Sequence, residues 1–203
     1  MHYELEDDAM INILVIASLI IFCILFIGRT ISLQKSGIKV IVLGKNSEKI
    51  RDLLENLTSP FLILWAILIL FIAFNIEIPI IFDIIVKNDY LQYIGIILCY
   101  IGIIIFLSAL ISFGNSWRVG IDDKNQGELV TTGIFKYSRN PIFLFMNIYF
   151  IGITLVYPTL TFILMTLIFV IGVHKQILNE EKHLLTIYKE KYQNYKKQTR
   201  RYL

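Results

Sequence analysis

Residues 142–173 read IFLFMNIYFIGITLVYPTLTFILMTLIFVIGV. A helix crosses the hydrocarbon core with about 20 apolar residues, so this run is too long for one crossing. Tyr157-Pro158 sits in its middle. Proline lacks a backbone donor and disfavours helical geometry in the residue before it. The stretch reads as a tight hairpin of two short helices, Ile142 to Val156 and Thr159 to Val173. Each rises about 1.5 Å per residue and falls slightly short of a full crossing. One long kinked helix is the competing reading.

Working outward, three further apolar runs precede the hairpin: Met10 to Gly28, Phe61 to Phe82 (interrupted by Asn75 and Glu77 near its far end), and Leu91 to Phe113. The chain has 203 residues, 56% hydrophobic and only 17% charged, with a mean hydropathy of +0.68. A soluble domain carries about 25% charged residues. So short a chain cannot bury this much apolar side chain in one aqueous core, and lipid must solvate the excess. The fold class is therefore an all-α integral membrane protein with about five transmembrane helices. The acidic start (Glu4, Glu6, Asp7, Asp8) lacks the positive charge of a signal peptide, so the first run reads as a retained span.

Lys and Arg collect in cytoplasmic loops. With five spans and the N-terminus outside, every one of the 19 basic residues except Lys87 falls on the cytoplasmic side. Four spans would split the tail's basic residues from the rest, so the same distribution favours the hairpin. The expected organisation is one membrane domain. Residues 1–113 hold three spans with a cytoplasmic loop 29–60 and a surface helix from Ser47 to Leu57. Residues 114–203 form a functional region made of a loop, the hairpin 142–173 and a cytoplasmic tail helix. The basic residues flank apolar spans and form no basic domain, which argues against nucleic-acid binding.

Two pieces could carry chemistry. The loop 114–143 reads GNSWRVGIDDKNQGELVTTGIFKYSRNPIF. It is punctuated by Gly114, Gly120, Gly127 and Gly133 and ends in Arg139-Asn140-Pro141. Asn at an N-cap and Pro at the first helical position would simply start a helix, and Arg139 would anchor at the headgroups. The functional alternative is an anion site, a helix N-terminus plus an Arg able to grip a carboxylate with two parallel bonds. In the tail, Glu181, Leu184, Leu185, Tyr188, Tyr192 and Tyr195 recur at helical spacing. They give an amphipathic helix, Lys-rich on its other face, suited to an interface with anionic lipid.

Other features read as structural. Cys23 and Cys99 are small packing residues, Trp65 is mid-span packing, and Trp117 is an interface anchor. Glu77 and Asp83 are solvated end residues, although acids there could mark an ion path. His174 and His183 have no matching partners for a metal site. No nucleophile elbow, phosphate loop or dinucleotide fingerprint is present.

The stretch Gly133-Ile-Phe-Lys-Tyr-Ser-Arg-Asn-Pro-Ile-Phe-Leu144 resembles the Gly-x-Tyr-x-x-x-Arg-His-Pro-x-Tyr pattern of the isoprenylcysteine carboxyl methyltransferase family and its phospholipid-methyltransferase relatives. Glu180-Glu181-x-x-Leu184, Tyr192, Tyr195 and Arg200 follow at that family's spacing, and Gly114 to Ile121 is similar to its bacterial members. The resemblance covers about 114–202. It implies a membrane enzyme that uses S-adenosylmethionine to methylate an amphiphile from the bilayer, either an isoprenylcysteine-like carboxylate or a lipid amine. It further implies that Leu129, Val130, Gly133, Tyr137, Arg139, Asn140, Pro141 and Glu180 or Glu181 line the cofactor. Arg139 and Glu181 would carry catalysis, and Tyr192 and Arg200 would meet the substrate. No metal is implied. Arg139→Ala is expected to abolish cofactor binding without unfolding the chain. Asn140 stands where the family has His, Phe135 and Phe143 stand for Tyr, Lys189 stands where Gly often follows the aromatic residue, and the proline-rich end is missing. These departures bear on the acceptor more than on the cofactor. The alternatives are an NADPH-dependent sterol-type reductase, which needs a larger chain, and a non-catalytic scaffold of the same fold.

Overall fold

The computed structural model describes residues 2–38, 49–76, 78–117 and 128–203. Five α-helices follow in order: α1 His2–Lys35, α2 Lys49–Ala73, α3 Asp89–Phe113, α4 Pro141–Val156 and α5 Leu160–Gln198. Two short 3-10 turns, Gly114–Ser116 and Gly133–Lys136, lie between α3 and α4. The protein is an all-α membrane protein. α1, α3 and α5 are long and apolar enough to cross a bilayer, and α4 and the Leu57–Ala73 part of α2 are shorter apolar helices.

The hairpin forms where Tyr157-Pro158 interrupts the run. α4 ends at Val156, and Thr159 caps α5 by accepting the Phe162 N–H on its side-chain oxygen at 3.2 Å. With 16 residues, α4 spans about 24 Å at 1.5 Å per residue, short of the roughly 30 Å core.

The second span differs from the sequence reading. It stops at Ala73, not Phe82, because Asn75 takes a left-handed φ of 55°. Asn75 N–H bonds Ile72 O and Ile76 N–H bonds Phe71 O, which closes the helix with a Schellman motif. Nor is a surface helix separate from this span. α2 runs from Lys49 straight through Pro60. The bond lost at proline is offset by packing, since Phe61 stacks on Phe150 and Phe169. Ser47, Glu48 and Glu77 lie outside the described residues. Asp83 is exposed.

The tail differs too. No glycine or proline lies between Gly172 and the end of α5, so the fifth span runs on into the amphipathic tail helix without a break at the membrane surface, and the interruption comes only at the kink at Lys189. Trp117, expected at the membrane interface, is buried edge-on against Phe26. Cys99 is buried but Cys23 is exposed.

The tightest seam joins α3 to α4. A Cβ on Gly95 would sit 2.5 Å from the Gly152 carbonyl oxygen, and one on Gly152 would sit 2.7 Å from the Gly95 carbonyl oxygen. The two backbones therefore touch. α1 is tied to α4 and its turn by Ser18 with the Tyr149 hydroxyl at 2.7 Å and by Tyr157 donating to Asn12 at 2.8 Å. Trp65 of α2 lies flat on Phe150, with centroids 3.7 Å apart, and Phe150 in turn stacks on Phe169 of α5. These contacts bring the C-terminal end of α3, the N-terminal end of α4 and the second half of α5 to one end of the bundle.

Candidate active site

The polar cluster at that end is built from the bottom of α4 upward. Pro141 starts α4, as its fixed φ favours. Asn140 occupies the cap position, yet its side chain makes no cap bond. The amide instead donates to the Arg201 carbonyl at 3.1 Å and to Glu181 at 3.4 Å. The capping explanation of this residue is thereby replaced by a tertiary one.

Arg139 points into the protein and not toward headgroups. Its side chain is 7% exposed and that of Glu181 6%. Arg139 donates to Glu181 from Nη2 at 2.9 Å and from Nε at 3.3 Å. Its Nη1 donates to the carbonyls of Lys196 and Thr199. Arg201 completes the group with a two-pronged grip on the same carboxylate, Nε to Oε1 and Nη2 to Oε2, both 3.0 Å. Such parallel charge-assisted bonds are the strong kind. Burial works against the ionised form of Glu181, but the hydrogen bonds from Arg201 and Arg139 outweigh it and hold its pKa below the ordinary value.

The C-terminal segment is woven onto the residues before α4. Arg139 N–H donates to the Arg200 carbonyl at 2.9 Å, as Ser138 and Arg200 form a parallel bridge. His174 Nδ1 meets the Tyr202 hydroxyl at 2.9 Å. Beside this weave lies a small aromatic core of Phe135, Tyr192 and Tyr195, with Leu129, Val130, Leu184, Leu185 and Tyr188 packed on it. The apolar face of the tail is thus covered by protein where the sequence reading had lipid. Tyr195 donates to the Phe135 carbonyl at 2.7 Å, and burial pushes its phenol up to about 12. Tyr192 is 1% exposed, and its hydroxyl has no hydrogen-bond partner among the described residues. Burial, with Glu181 nearby, raises its pKa.

The residues singled out from sequence divide accordingly. Arg139, Asn140, Pro141 and Glu181 meet in one cluster, with Tyr192 in the adjoining core. Leu129 and Val130 pack on that core. Glu180 is half-buried beside Glu181. Gly133 lies against α3, where φ is 62° and a Cβ would strike the Ser112 side chain at 2.2 Å. Tyr137 is 70% exposed, and Arg200 projects outward while its carbonyl is used. Sequence reasoning passed over Arg201, Ser138 and Thr199. Arg201 lies beyond the end of α5, outside any helix, so no periodicity marks it. Among the described residues no group of acidic, His and Cys side chains could hold a metal.

Lys189 is the odd residue of α5. It adopts φ 45°, ψ −121° inside the helix, a region that strongly favours glycine, and so turns Tyr192 and Tyr195 onto Phe135. This is the position where the resemblance expects Gly. A side chain there costs of the order of 1–3 kcal/mol. Lys189→Gly is expected to raise stability by about 1 kcal/mol after glycine's extra unfolded-state entropy, measurable as a higher midpoint in thermal unfolding. A lower midpoint would show that the position is not strained.

A helical membrane bundle with a largely buried Arg–Glu–Arg cluster tying its last two helices to the loop before them defines the class: a membrane protein with a polar side-chain cluster at one end. Residues 91–191 match the model of the phospholipid methyltransferase family, and the chain belongs to this family of membrane methyltransferases. No curated protein and no solved structure matches the chain.

Proposed function

We propose that the protein transfers a methyl group from S-adenosylmethionine to an amphiphile held in the bilayer, at the cluster around Arg139 and Glu181, with residues 114–203 as its catalytic region. The observation that carries this reading is that Arg139 and the tail meet in one buried polar cluster next to an unpartnered tyrosine hydroxyl.

The residues present suit that cofactor. Its amino-acid end carries a carboxylate and an ammonium. Arg139 and Arg201 bring two guanidinium groups to one carboxylate, so a second carboxylate can share them. Glu180, the half-buried carboxylate next to Glu181 on α5, is the assignment for the ammonium. Leu129 and Val130 offer apolar cover, and the Tyr192 hydroxyl offers a donor that the fold leaves unused. When bound, the cofactor supplies an electrophilic methyl on a sulfonium. The chain's own part is to align the acceptor with it and exclude water, and the tail folded over Phe135 does the excluding. A carboxylate acceptor needs no base. An amine acceptor must shed a proton, and a tail carboxylate, Glu180 or Glu181, would receive it. The basic distribution orients this end toward the cytoplasm, with the N-terminus outside.

Calorimetric titration of the full chain in detergent tests the proposal. S-adenosylhomocysteine is expected to bind, and Glu180→Gln to bind it about tenfold more weakly, a loss of ~1.4 kcal/mol. Binding of NADPH in its place would favour the reductase, and binding of neither would favour the scaffold.

A further inference from the structure

Away from this cluster, a groove of about 340 Å³ opens between α1 and α3. Its walls include Ile24 of α1 and Leu107 and Ile111 of α3, and Gly28, Arg29 and Ser32 form its polar end. Ser112 and Phe113, the next residues of α3, face the other way: Ser112 accepts the Ile134 N–H, and Phe113 packs on Phe135. The groove is therefore separate from the Arg139 cluster.

Arg29 is held across the polar end. Its Nη2 donates to the Gly114 carbonyl at 2.6 Å, which fixes the guanidinium plane. Its Nε is buried with no hydrogen-bond partner, and no carboxylate pairs with Arg29 among the described residues. An arginine near a helix end ordinarily snorkels to water. A buried N–H left without an acceptor is costly, and Arg29 lines the groove with its charge unpaired among the described residues. Ser32, one turn further along α1, supplies a hydroxyl at the same end. The volume falls in the range of ligand sites, about 300–1,000 Å³.

We infer that this groove holds one membrane phospholipid, its phosphodiester on Arg29 and Ser32 and one acyl chain along Ile24, Leu107 and Ile111. The occupant follows from chemistry. A guanidinium held in place at the groove's end, with no carboxylate on it, suits a phosphate oxygen. The groove then leads away from that charge between apolar walls on helices long enough to span the bilayer, so the anion must carry a hydrocarbon chain. The inference is independent of the transferase reading, because no residue of the Arg139 cluster takes part.

Native mass spectrometry of the full-length protein in detergent, titrated with phosphatidylglycerol, tests it. The wild type is expected to retain one lipid per chain. Arg29→Gln should weaken retention at least tenfold. Because that change also frees the Gly114 carbonyl, Gly28→Leu provides a second variant. Nothing lies within 4 Å of a Cβ at Gly28, so the leucine fills the groove without disturbing the fold, and the same loss is expected. Diacylglycerol with identical chains should compete poorly, and millimolar inorganic phosphate should not displace the lipid. Retention unchanged in both variants, equal competition by diacylglycerol, or displacement by phosphate alone would each overturn the assignment.

Discussion

Glu181→Leu is expected to detach the C-terminal segment and to lower methyl transfer by roughly a hundredfold, the cost of about 1 Å of misplacement at a reacting centre. Glu181 accepts four hydrogen bonds from two arginines. Removing it leaves the Arg139 guanidinium buried without its counter-charge. Breaking a buried pair from one side costs about 3–5 kcal/mol. Limited proteolysis should reveal release of residues 199–203, and thermal unfolding should read the lost stability. Arg139→Ala falls under the same argument. The sequence reading had it losing cofactor affinity without loss of stability, but Arg139 also bonds the Lys196 and Thr199 carbonyls, so both losses are expected together.

Acid gives an independent check on this cluster. Because the pKa of Glu181 is lowered in the fold, the unfolded chain binds its proton first as pH drops. The stabilisation is complete above the ordinary glutamate value of about 4.3. It is lost as pH falls from there through the folded-state value. Glu181→Gln should flatten that acid limb and be less stable than wild type at neutral pH. A parallel acid limb in both proteins would show that Glu181 is not the group responsible.

The second large effect is expected at the α3–α4 seam. Gly152→Leu must place a side chain 2.7 Å from the Gly95 carbonyl oxygen and 3.1 Å from the Cys99 backbone nitrogen. Neither is a flexible side chain that can swing aside, so the helices must part. Overpacking costs about 1–3 kcal/mol even where side chains can yield, and a backbone clash lies at or above the top of that range. α4 carries Arg139, Asn140 and Pro141 at its start, so its displacement moves the site as well. Gly172→Leu is the matched control, since nothing lies within 4 Å of its Cβ, and leucine is the better helix former by almost 1 kcal/mol. Thermal midpoints measured side by side should fall for Gly152 and hold or rise for Gly172. Equal midpoints would mean that the helices are further apart than described.

Much of the bundle is legible in order along the chain. The ends of α3, the break at Tyr157-Pro158 and the starts of α4 and α5 follow from apolar length, a proline and local caps, which act within a few residues. The end of α2 was misread because asparagine closes helices in αL less often than glycine does, and its Schellman closure outweighs the apolar run that continues past it. The tail helix is legible from its spacing, but its continuity with the fifth span and its kink at Lys189 are not, as charge begins at Lys175 where nothing stops a helix.

Local pattern, then, set the membrane class, the hairpin and the shortlist of Arg139, Asn140 and Glu181, because hydrophobic period and motif spacing are properties of neighbouring residues. Folding in three dimensions assigned the partners. Arg139 and Glu181 lie 42 residues apart, Arg201 sits beyond the last helix with no period to mark it, and Lys189 turns the last stretch of α5 against its own conformational preference. Which charge meets which depends on that turn and on the contact of two glycine-bearing backbones, and neither is encoded in any short window of sequence.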